Sequence, residues 1–367
     1  MACAGLRRTS GAWCVAVVVL SISAVAMVGC SVSTSRGLGE AEMGIGQMFT
    51  NPVVERGADP WVIRWNGVYY YCRSGANDTI EVVRSERLHE IGSGDVACVW
   101  RAPEGTLYSR ELWAPELHYL RGKWYIYVAA DDGDNHNHRM YVLEGTTQDP
   151  QDPFEFRGKI CSPDDHWAID GTVLEMDDGR LYFIWSGWSG DQNISQELYI
   201  APMSDPCTIS GERVMISRPT EPWERIGNPW VNEGPAVLKR NGITHIIYSA
   251  SGSWTDDYCL GRLTCRDGNV MNPASWEKVG PVFSKVPTSY GPGHCSFTKS
   301  PDGLQDWIVY HACEVSGSGW AGRSVRMQPF AWDDADCPVF GEPVRVGEPI
   351  PLPSGTECRL TPSSDAY

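Results

Sequence analysis

Asp59, Asp170 and Glu233 fall at one position of a repeated sequence unit, and three carboxyl groups held together can cleave a glycosidic bond. Inverting hydrolysis needs one protonated carboxyl to deliver a proton to the leaving oxygen and one ionised carboxylate to draw a proton from water. A third negative charge close to one partner raises that partner's pKa and keeps it protonated near neutral pH. Glu233 has the longer side chain and suits the acid, Asp59 in a tight Ala-Asp-Pro-Trp turn suits the base, and Asp170 between them suits the modulator. Trp113 and His294 occupy the same repeat position in the two remaining copies. Trp113 reads as core or as a wall of a sugar site, and His294 as a satisfied core histidine or a residue on a shared axis.

The elements that must position these groups are hairpins. Five copies, Ala58–Tyr71, Leu112–Val128, Ile169–Trp185, Asn232–Tyr248 and Gly293–Tyr310, each run from a polar or aromatic motif to a turn glycine and then to a strand ending in aromatics. Aligned on Gly67, Gly122, Gly179, Gly242 and Gly303, the motif residues stand 54, 57, 63 and 61 residues apart. A period near 60 leaves room for two further strands per unit, the size of a β-propeller blade whose first strand lines the central axis. The expected fold is therefore an all-β, five-bladed β-propeller with its site on the axis. With 38 Gly, 25 Pro, 16 Trp and 15 Tyr and no long 3.6-residue period, short strands and turns fit better than helices.

Net charge is −16, which argues against nucleic acid and anionic membrane surfaces, since both need a basic footprint. A neutral ligand fits better than a polyanion, although overall charge says little about one pocket. Residues 1–29 read as a signal peptide, with Arg7-Arg8 before the apolar run Trp13–Val28. Gly29-Cys30 followed by a Ser/Thr tract resembles a lipobox, so export with a lipid anchor at Cys30 is expected, or ordinary secretion otherwise. Residues 30–48 read as a flexible tether, 49–348 as the propeller and 349–367 as a loose tail. Export permits disulfides. Cys295 and Cys313, on the two strands of the fifth hairpin, are open to pairing or to remaining two buried thiols.

Five ordered motifs carry a family resemblance from about Asn51 to Gly347. Ala58-Asp-Pro-Trp61, Leu112–Leu117, Ala168-Ile-Asp-Gly-Thr172, Asn232-Glu-Gly-Pro235 and Gly291-Pro-Gly-His294 resemble glycoside hydrolase family 43. Within it, Asp131–His136, Trp185-Ser-Gly-Trp188, Tyr248–Trp254 and Arg326-Met-Gln-Pro-Phe330 are similar to the exo-acting α-L-arabinofuranosidases. The resemblance implies an inverting enzyme acting on arabinose-containing saccharides, with Asp59 as base, Asp170 as modulator and Glu233 as acid. It further implies sugar contacts from Trp113, Trp188 and Arg326, no required cofactor, and a calcium ion on the axis near His294. A β-xylosidase or endo-arabinanase on the same fold stands as the alternative. A non-catalytic sugar-binding propeller is disfavoured, because one carboxylate would then be missing.

Overall fold

The computed structural model describes residues 47–357. The signal-peptide and Cys30 expectations, and most of the tether, lie outside them. The described chain is all-β. After β1 (Met48–Thr50), a first four-stranded antiparallel sheet comprises β2 (Trp61–Trp65), β3 (Val68–Gly75), β4 (Thr79–Ser85) and β5 (Asp95–Arg101). A second comprises β6 (Arg110–Leu120), β7 (Lys123–Asp131), β8 (Arg139–Gly145) and β9 (Phe154–Lys159).

A nine-stranded sheet has two antiparallel parts. One holds β10 (Ala168–Glu175), β11 (Leu181–Gly187) and β12 (Ser195–Asp205), with the short β13 (Thr208–Ile209) and β14 (Val214–Ser217) on β12. The other holds β15 (Trp230–Arg240), β16 (Ile243–Ala250), β17 (Cys259–Cys265) and β18 (Trp276–Phe283). Only a short parallel contact, Ser195 and Gln196 with Trp230 and Val231, joins the two parts. A last four-stranded sheet comprises β19 (Tyr290–Lys299), β20 (Asp306–Cys313), β21 (Arg323–Trp332) and β22 (Pro338–Val339). Finally β23 (Pro349–Pro351) pairs with β1.

The first strands of these units touch in a closed ring: β2 with β6, β6 with β10, β10 with β15, β15 with β19, and β19 with β2. Five apolar clusters fill the interfaces between neighbouring units, for example Cys72 and Val82 against Leu117 and Ile126, or Val62 and Tyr71 against Val309 and Met327. The turn glycines that define the sequence repeat all have φ between +77° and +84°. Asn66-Gly67 and Asn241-Gly242 are two-residue hairpin loops with both residues left-handed, the geometry that matches strand twist.

The ring is latched where its ends meet. Asn51, buried, donates to the Met327 carbonyl and accepts from the Met327 amide, both at 3.0 Å. Val54 bridges Val325. Ordered pairing thus begins at Met48 and extends past residue 348, beyond the limits read from the sequence. Ser354 reaches Asp302, and the Glu357 carbonyl accepts from Arg87, so this stretch of the expected loose tail is packed. Cys295 and Cys313, like the other described cysteines, are free thiols.

Candidate active site

A left-handed residue stands near the start of each inner strand, or just before it. Asp59, Ala114, Asp170, Gly234 and His294 have φ between +43° and +55°, eight or nine residues before the turn glycine of their own hairpin. In β6, β10, β15 and β19 the pairing register shifts beside that residue, the mark of a bulge. Bulges re-aim side chains, and left-handed non-glycine residues persist only where the surroundings hold them. Asp and His tolerate that conformation better than most residues. The backbone equivalence therefore passes through Ala114 and Gly234, each one residue after the expected Trp113 and Glu233.

Asp59, Asp170, Glu233, Trp113 and His294 all line one cavity of about 440 Å³ at this end of the ring. Its walls also include Asn135, Trp167, Asn193, Trp254, Trp320 and Arg323, from the loops and strand ends there. Trp113 stacks on His138 at 4.0 Å, and His138 meets the buried Asp131 at 2.9 Å, which fixes the indole.

The carboxyl groups sit in unlike surroundings. Burial alone would raise the Asp59 pKa, but His294 and Arg323 outweigh it and hold the group below the usual carboxylate range. His294 Nδ1 and Arg323 Nη1 lie 3.2 and 3.3 Å from Asp59 Oδ1. Burial lowers the pKa of His294 itself, so Arg323 is the cation that persists at neutral pH. The amide of Asp59 donates to His311 Nδ1 at 3.1 Å, and burial depresses that ring to about 4.

Glu233 is pushed up to about 7 by burial, reinforced by the Asp59 charge and opposed by a hydrogen bond from Tyr258. The Tyr258 hydroxyl donates to Glu233 Oε1 at 2.8 Å. Asp170, buried and close to Glu233 and Asp59, is raised well above the ordinary range; it accepts from the Gly234 amide at 2.9 Å. One ionised carboxylate and two carboxyls that resist ionisation therefore share the cavity. Tyr258 and His311 lie parallel, 5.6 Å apart, so the residue that supports Glu233 is packed on the residue that supports Asp59.

Two expected sugar contacts are corrected. Trp188 is buried behind the wall, stacked on Trp167 at 4.8 Å, and it is Trp167 that reaches the cavity. Arg326 is wholly buried away from it, donating to the Thr288 carbonyl at 2.6 Å and to Ser324 Oγ at 3.2 Å. Arg323, three residues earlier, takes the place at the site. Nothing in the motifs marked Tyr258, His311 or Trp320; Trp254 closes the Tyr248–Trp254 motif, which assigns it no role. His294 Nδ1 lies 3.2 Å from Asp59 and 3.9 Å from Asp170, and among the described residues no group of three His, Cys, Asp or Glu is placed to hold a metal ion.

The chain is similar to known glycoside hydrolases. Residues 49–338 match the model of glycosyl hydrolases family 43. The chain is 36% identical over 332 residues to alpha-L-arabinofuranosidase 43 of Humicola insolens, covering 87% of this chain and 68% of that protein. It is also 36% identical over 313 residues to an extracellular exo-alpha-(1->5)-L-arabinofuranosidase of Streptomyces avermitilis, covering 82% of this chain and 64% of the relative. The match thus spans about two thirds of these relatives' length. The crystal structure of an alpha-L-arabinofuranosidase from Lactobacillus brevis superposes with a TM-score of 0.77 at 36% identity, over 82% of this chain and 98% of that one.

Proposed function

Since this chain belongs to glycosyl hydrolases family 43, we propose that it is an inverting, exo-acting α-L-arabinofuranosidase built on a five-bladed propeller. The five inner strands in a ring and the five apolar interfaces support the blade count. One observation carries the mechanism: an ionised Asp59, held by Arg323, shares a cavity with a Glu233 whose pKa is near 7.

Asp59 accepts a proton from water as it attacks the anomeric carbon. Glu233 gives its proton to the departing oxygen, and the configuration inverts because water and leaving group lie on opposite faces. With Asp59 ionised, removing further protons from the buried Asp170–Glu233 pair is costly, so the pair keeps a proton near neutrality. Asp170 orients the pair through the Gly234 amide. A site walled by loops at one end of the ring suits release of a terminal sugar better than cleavage within a chain.

The scheme invokes no cofactor. A calcium ion near His294 would have to be held mainly by water, and unchanged rate and melting temperature after exhaustive chelation would dismiss it. Export follows from the N-terminal sequence, with the Cys30 anchor as its finer form; Cys30→Ala moving the protein from membrane to medium tests it. The substrate class is tested on aryl α-L-arabinofuranoside and aryl β-xyloside side by side. Proton NMR of the first product should give the β-arabinofuranose. Retention, or preference for the xyloside, would overturn the reading.

A further inference from the structure

A second cavity, of about 400 Å³, opens beside the proposed active one. Leu107, Tyr108 and Phe156 form its apolar wall, and Arg139, Lys159 and Asp165 its polar edge. The Tyr108 and Phe156 rings are parallel, 4.1 Å apart at 12°, and Leu107 is 66% exposed. Arg139 and Lys159 both reach Asp165, at 3.0 and 2.5 Å, so the edge presents hydrogen-bonding groups held in place, with one net positive charge among the three. An apolar face with a few placed polar groups is the usual make-up of a site for a neutral ligand, and a sugar presents its C–H face to such a surface.

Its position ties it to catalysis. Arg139 opens β8, Lys159 closes β9, and Asp165 lies just before β10. In antiparallel sheets these points share the end at which β6 presents Trp113 and β10 presents Asp170. Two chain segments serve both cavities. Asn135 lines the active cavity and Asn137 the second; Trp167 lines the active cavity and Asp165 the second. A rim one loop thick therefore separates them. β8 and β9 stand two and three strand spacings outward from β6, roughly 10–15 Å, a distance of a few sugar units.

We propose that this second cavity binds distal sugars of the arabinan chain whose non-reducing end occupies the active cavity. It is a neutral oligosaccharide subsite that favours long substrates over short ones. The inference rests on the arabinofuranosidase reading, and the experiment separates the two.

Wild type, Leu107→Asp and Phe156→Ala are compared on an aryl arabinofuranoside and on arabino-oligosaccharides of increasing length. Wild type inactive on the aryl substrate would defeat the reading of function before any variant is considered. With that activity present, both variants should match wild type on the aryl substrate and the disaccharide. On the longest chains KM should rise about fivefold, the scale of one lost stacking contact, with kcat unchanged. Variants equal to wild type at every chain length would overturn the subsite. So would an equal loss on the aryl substrate, since the cavity would then be supporting the fold; Leu107, being exposed, keeps that outcome distinct from mere unfolding.

Discussion

The strongest residue-level asymmetry lies between Asp59, supported by a guanidinium, and Glu233, supported by a tyrosine hydroxyl. If Glu233 is the acid, Glu233→Ala should cripple substrates with poor leaving groups far more than activated aryl substrates, because a good leaving group hardly needs the proton. Equal losses across leaving groups would refute the assignment. The Tyr258 bond favours the ionised form of Glu233, so removing it raises the acid's pKa. A general acid works only while protonated. Tyr258→Phe should therefore carry the alkaline limb of kcat/KM above its wild-type position near pH 7, and a limb that stays or moves down would contradict the role. The three carboxyls were legible in the sequence because the hairpin repeat singles out a short stretch in each unit, which meets Asp59 and Asp170 directly and Glu233 to within one residue. Arg323 was not: Arg326 carries the motif, but residues three apart in a strand point to opposite faces, so the motif alone could not choose the arginine at the site.

At the scale of elements, the strand that carries Glu233 is anchored by a buried carboxylate at its approach. Glu224 is fully buried and meets Lys278 of β18 at 2.9 Å, while Asn232 of β15 and Tyr248 of β16 donate to it at 3.0 and 2.8 Å. Burial raises its pKa, but hydrogen bonds from the Glu221 and Thr220 amides and the charge of Lys278 prevail and lower it. A depressed folded pKa means a contribution present in full above the unfolded value and lost as pH falls through the folded one. Lys278→Met should cost about 3 kcal/mol, since the charge left behind is buried, and should move acid unfolding to higher pH. Denaturant melts at pH 7 and pH 4 measure both; an unchanged acid midpoint would show that the backbone amides alone hold Glu224 down. The hairpins were legible through their turn glycines, but this anchor was not, because its partners are separated in sequence and share no pattern. The bulges escaped notice for a similar reason: a left-handed Asp or Ala leaves no mark that a residue type must reveal.

For the whole molecule, ring order was legible from a period near 60, and ring closure was not, because β1 and β23 are short and sit at opposite ends of the described chain. Asn51→Ala leaves the Met327 amide and carbonyl without their buried partner and should cost about 2 kcal/mol. If the latch closes the ring as a unit, activity and tryptophan fluorescence should be lost in one transition at a lower temperature. Activity fading well before fluorescence would mean that the site opens while the sheets persist. The three side chains around Asp59, namely His294, His311 and Arg323, all belong to β19, β20 and β21. During synthesis, then, Asp170 and Glu233 leave the ribosome well before the cation that readies Asp59 has been made. The charged support of Asp59 is in place only once the last four-stranded sheet docks against the first, so the cavity's ionised corner is the last part of it to be assembled.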